Sequence, residues 1–216
     1  MDSMVFLEPN KIDAIPFTTS DVIAEFAKVS YRSIQKTIET HEKRLSKFGR
    51  VRFEITPFAT RGGVQDKKIY HLTEEQATLL ITFLKNTEVV ADFKTELVRQ
   101  FFAMRTELMK CNVFRAEGKP IRRELTDVIK ETTDNKWAYK QYTDLVYKIV
   151  TGKNASQIRK DRGASKKAIA VDYMTSDEMN RINKVEYQIS VLIETGMDYN
   201  QIKALLLNRQ IVAKIA

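Results

Sequence analysis

Between Ser20 and Leu72 the spacing of apolar residues changes period, and few folds accommodate such a switch. After Ser30, a capping residue, Ile34, Ile38, His41, Leu45 and Phe48 recur every three or four positions and so share one helical face. Gly49 supplies the stop. Just upstream, Thr18-Thr19-Ser20-Asp21 offers N-cap oxygens to a shorter helix carrying Val22, Ile23, Phe26 and Ala27 and ending near Val29. Two helices with almost no linker form a helix-turn-helix. Then Val51, Phe53 and Ile55 alternate with Arg52, Glu54 and Thr56, the pattern of a half-buried strand. Pro57 argues against continued central pairing, Arg61-Gly62-Gly63 reads as a turn, and Lys68–Leu72 as the return strand. The expected product is a helix-turn-helix with a β-hairpin wing whose tip is basic.

Thr73 with Gln76 forms a capping box for an apolar helix over Ala77–Leu84, and Asn86-Thr87 breaks it. A long helix follows, with Val90, Phe93, Leu97, Phe101, Met104 and Leu108 in one stripe that suits either a core seam or a dimer contact. The pattern lapses around Ala116-Glu117-Gly118-Lys119-Pro120. Helices are expected near Arg123–Thr132 and Trp137–Val150, and a short one after Asn154. Thr175 with Glu178 caps a helix stopped at Gly196, and Asp198 with Gln201 caps the last one. The stretch Arg162–Val171 reads as a loop. The fold class is therefore mainly α with a small β-hairpin. A winged helix-turn-helix DNA-binding domain is expected over 1–115, and a helical domain for dimerisation or partner binding over 116–216.

Charge narrows the partner. The chain of 216 residues carries a formal net charge of +8. From Lys28 to Lys68 eleven basic residues face only Glu39, Glu42, Glu54 and Asp66. From Lys148 to Lys167 seven face Asp161 alone. Concentrated positive charge favours a polyanion, and nucleic acid is the usual one. The apolar runs are short and charge-interrupted, and the N-terminus lacks the form of a secretory signal, so a soluble intracellular protein is expected, with no membrane partner. One cysteine, Cys111, excludes an internal disulfide and a multi-cysteine zinc site.

In a helix-turn-helix the second helix enters the major groove with its first residues at base edges. Tyr31, Arg32, Ser33, Gln35 and Lys36 occupy that place here, with Lys43 further along. Arg can pair with guanine O6 and N7, and Gln with adenine N6 and N7, through two hydrogen bonds each. Lys43, Arg44, Lys47 and Arg50 suit phosphates, which set register and affinity. Arg61 either reaches a phosphate or the minor groove, or simply sits in a closing turn, and Lys67 and Lys68 add backbone contacts. The basic segment Gly152–Lys160 reads as a solvated helix end before a nucleic-acid contact. Trp137, Tyr139, Tyr142 and Tyr147 resemble a base-stacking set, but Trp137 and Tyr142 lie at core spacing with Leu145 and Ile149. His41 falls on an apolar helix face and His71 in a strand, so no catalytic or metal constellation assembles. A non-enzymatic protein without cofactor is expected.

Thr19-Ser20-Asp21-Val22-Ile23-Ala24-Glu25, Tyr70–Leu80, and Phe93-Lys94-Thr95-Glu96-Leu97-Val98 leading to Phe101 and Met104 resemble the phage regulatory protein Rha family. Relatives often carry a histidine, with valine three residues later, where Tyr31 and Ile34 stand. Arg123–Ile129 and Tyr142–Lys153 are similar to the tail domains appended to phage antirepressor and Rha-type proteins. The resemblance implies a prophage-encoded regulator of gene expression. Three readings follow: a homodimer that binds double-stranded DNA, an antirepressor that binds a phage or host repressor protein, and a non-specific nucleic-acid binder.

Overall fold

The computed structural model describes residues 3–8, 11–60 and 63–215, with side chains described except at 58–60, 63, 64 and 209–215. In order come β1 (Phe17–Thr19), α1 (Ser20–Phe26), α2 (Tyr31–Leu45), β2 (Arg52–Thr60), β3 (Gly63–Thr73), α3 (Glu74–Thr82), α4 (Glu88–Thr132), α5 (Ala138–Thr151), α6 (Ala155–Asp161), α7 (Ser176–Glu194) and α8 (Tyr199–Ile215). The fold is mainly helical with one small antiparallel sheet, as the periodicity requires. Two compact units divide it, one of residues 1–8 and 14–106, the other of 9–13 and 107–216. Helix α4 contributes to both.

In the first unit, α1 and α2 are joined by a turn whose bonds are those of a Schellman motif. Val29 N–H donates to Ala24 O at 3.0 Å and Lys28 N–H to Glu25 O at 3.3 Å. Lys28 takes φ 53°, the left-handed conformation that glycine adopts at no steric cost. Lys28→Gly therefore stabilises this unit, by up to about 1 kcal/mol, measured by chemical denaturation. A second lysine-independent anchor is the Ser30 hydroxyl, which accepts from Ser33 N–H at 3.2 Å and starts α2.

The sheet runs in the order β1-β3-β2. Strand β2 pairs with β3 from Arg52↔His71 to Thr60↔Gly63, so pairing continues through Pro57, opposite Asp66. This agrees with the expectation from Pro57, since β2 is an edge strand rather than a central one. The short β1 pairs with His71–Thr73 at the far end of β3. The apolar face of β2 is also less buried than its alternation suggests. Val51 is covered, but Phe53 and Ile55 stand 48% and 61% exposed.

Ile23, Ile34, Ile38, Leu45, Leu72, Leu80, Leu97 and Phe101 form the centre of the first core. The stripe on α4 thus resolves toward packing: Val90, Phe93, Leu97 and Phe101 are buried within the unit and Met104 lies against it. His41 stacks on Phe83 with ring centroids 3.8 Å apart, a packing role. The capping box of α3 is present, with Thr73 N–H on Gln76 Oε1 at 3.2 Å, and Gln76 Nε2 also donates to Gly49 O at 2.9 Å.

The second unit has its own core, centred on Leu125, Val146, Met179, Ile189 and Ile202. The helix does not pause at Ala116–Pro120; both Gly118 and Pro120 lie inside α4. Tertiary packing overrides the local breakers there. Asn183 of α7 crosses so close to Gly118 that a Cβ would collide with its carboxamide, whose Nδ2 donates to Phe114 O at 2.8 Å. Trp137 corrects a second expectation: it is 65% exposed because α5 begins at Ala138, leaving Trp137 outside the repeat that buries Tyr142, Leu145 and Ile149. Cys111 is buried, and desolvation pushes its thiol up to about 11. That disfavours the reactive thiolate. No helix is long and apolar enough to cross a membrane among the described residues.

Candidate nucleic-acid interface

Helix α2 turns 100° per residue, so its buried positions Ile34, Ile38 and Leu45 fix which side faces out. Arg32, Lys36 and Lys43 fall within about 40° of one another on the opposite side. All three are exposed and form no ion pair among the described residues. From Arg32 to Lys43 the stripe is about 16 Å long, enough to cross a major groove about 12 Å wide. Lys47, in the 3-10 turn Ser46–Phe48, prolongs it, and Arg50 is exposed just beyond Gly49.

The other expected residues divide between the two flanks of that stripe. Ser33 is exposed beside it, its backbone N–H committed to the cap. Arg44 lies toward α3 and its Nη1 is 3.0 Å from His41 Nδ1. Gln35 is half-buried on the flank that also carries Glu39 and Glu42. This flank faces the hairpin, since Tyr70 Oη donates to Glu39 Oε1 at 3.4 Å.

Tyr31 has a different employment from the one its position suggests. Strand β1 covers β3 only as far as His71, leaving the edge open at Lys68 and Tyr70. Side chains close it: Tyr70 N–H donates to Ser20 Oγ at 2.9 Å, and the Tyr31 hydroxyl donates to Lys68 O. Burial raises the Tyr31 hydroxyl pKa, keeping the proton that this bond needs. Tyr31 thereby ties the start of α2 to the hairpin. Tyr31→Phe leaves the Lys68 carbonyl without that donor and costs about 1–2 kcal/mol, with faster amide exchange along β3 as the second readout.

Lys67 and Lys68 lie on aromatic faces. Lys67 Nζ is 4.3 Å from the Tyr31 ring centroid, and Lys68 Nζ is 4.1 Å from that of Phe53 and 4.7 Å from that of Tyr70. The Tyr70 hydroxyl, then the charges of Glu39 and Glu42, raise the Lys68 pKa, so it stays cationic. Arg61 lies outside the described residues.

Sequence reasoning misses the exposed Phe53 and Ile55, whose alternation looks like a buried face, and the Glu39–Glu42 flank, whose partner Tyr70 is 31 positions away from Glu39. It also leaves out Arg52, exposed where β2 begins. Among the described residues no group of three His, Cys, Asp or Glu side chains could hold a metal ion. No curated protein matches the chain. Residues 18–106, which carry both the basic helix and the hairpin, match the family model described as phage regulatory protein Rha, and over that segment the chain is similar to this family.

Proposed function

We propose that this chain is a phage regulator that binds double-stranded DNA in a sequence-specific way through α2, with the β2–β3 hairpin as a wing. The observation that carries the reading is the exposed stripe of Arg32, Lys36 and Lys43, without an ion pair among the described residues, directly opposite the buried face of α2. A helix of this kind, seated on its own core, can place its polar side in a major groove while its basic ends meet phosphates. The match over residues 18–106 to phage regulatory protein Rha supports a phage regulatory role rather than a metabolic one.

Arg32 is the candidate for base-edge contact because it stands one residue into the helix and forms no ion pair among the described residues. Gln35 is its neighbour on the wing side. Lys36, Lys43 and Lys47 hold phosphates, and Lys67 and Lys68 add contacts from the hairpin. Readers of this type work as symmetric pairs on half-sites, so a homodimer is part of the reading.

Selection from a random-sequence duplex pool with the full-length protein tests it. Enrichment of a common motif, arranged as an inverted repeat, is the expected result. Recovery of sequences without a motif would favour the non-specific binder, with a steep salt dependence. Failure to recover any duplex would move the function to protein recognition, as in an antirepressor.

A further inference from the structure

The second unit holds a cavity of about 220 Å³ between α4, α5, α7 and the segment leading into the 3-10 turn Ala170–Tyr173. Protein interiors rarely leave voids much larger than one water, whose share of liquid is about 30 Å³. Its walls are of two kinds. Phe114, Val171, Met179 and Ile182 supply apolar surface, and Ile169, 57% exposed, stands at the mouth. Arg115, Arg122, Tyr147 and Glu186 supply the polar side.

The charges on that side are already matched. Arg115 Nε donates to Asp172 Oδ1 at 2.8 Å, and Arg122 Nη1 to Glu186 Oε1 at 2.9 Å, while Arg122 Nη2 bonds the Thr143 hydroxyl. An anionic ligand would have to uncouple one of these pairs, and a cation would meet two guanidiniums. Two groups are left with unused capacity. Tyr147 is only 8% exposed, yet its hydroxyl has no hydrogen-bond partner among the described residues. Glu186 is 5% exposed and only one of its carboxylate oxygens is bonded. Burial holds the Tyr147 proton on its oxygen, so the hydroxyl is available as a donor. Both residues line the cavity, so this free hydrogen-bonding capacity is open to whatever occupies it.

We infer that this cavity binds a small uncharged molecule with an apolar body and an amide or alcohol head, which accepts from the Tyr147 hydroxyl and donates to Glu186. The volume is below the roughly 300–1,000 Å³ of sites for drug-sized ligands, so the occupant is of fragment size. The site lies wholly within the second unit and does not depend on the reading of α2.

Benzamide is the probe, with benzoate and benzylamine as its charged counterparts, titrated into the full-length protein and followed by ligand-observed NMR. Saturable binding of benzamide is expected, with at least tenfold weaker binding of both charged analogues. Tyr147→Phe keeps the ring and should weaken benzamide about three- to tenfold, the value of one hydrogen bond. Ile169→Trp, at the exposed mouth, should block entry without touching the core. Equal binding of all three probes, an unchanged affinity in Tyr147→Phe, or no saturation by benzamide would each overturn the assignment and leave a cavity filled by water.

Discussion

Replacing Lys36 and Lys43 together with glutamate should lower the affinity of the full-length protein for duplex DNA by about a hundredfold, roughly tenfold for each reversed charge. Each substitution removes a phosphate partner and places an anion against the DNA backbone. Both side chains are exposed, and surface changes of this kind usually move stability by no more than about 0.5 kcal/mol. The slope of affinity against salt should fall as well, because fewer counterions are released. Lys85→Glu is the control, an exposed lysine between α3 and α4 that is not part of α2. Fluorescence anisotropy at moderate salt reads both. A double variant that binds within threefold of the parent would remove α2 from the interface.

Phe101→Ala should destabilise the first unit by about 3–5 kcal/mol, the usual cost of deleting a buried aromatic and leaving its cavity. Phe101 is 1% exposed and packs in the same core as Ile34 and Ile38 of α2. Denaturant unfolding measures the loss, and sedimentation shows whether association changes with it. If the α4 stripe is a core seam, stability falls while the association state of the folded fraction is unaltered. Dissociation with little loss of stability would make it a subunit contact instead. The distinction matters for the site, since Leu97 and Phe101 help hold the surface on which α2 sits.

The features legible in the sequence are those decided within one turn of chain. Thr73 with Gln76 and Thr175 with Glu178 form their capping boxes because both bonds of each box close over three residues. Asp198 Oδ1 accepts from Gln201 N–H at 2.9 Å for the same reason. Arg32, Lys36 and Lys43 are legible too, since a helix with Ile34, Ile38 and Leu45 inside has no other place for them. What escapes is set by distant partners. Three residues of β1 have no pattern of their own and become a strand only by meeting His71–Thr73. Pro57 is tolerated because of sheet order, which the residue itself does not encode. Gly118 and Pro120 read as a break, but Asn183 packing makes the glycine useful inside a helix. Tyr31 stands where a base contact is expected, and only the open edge of β3 explains its hydroxyl.

Amide chemical-shift mapping of the full-length protein with a selected duplex tests the central claim most directly. The largest changes are expected over Arg32–Lys43, with a second set at Lys67 and Lys68, and little change across α5–α8. Shifts confined to the second unit, with α2 untouched, would contradict it.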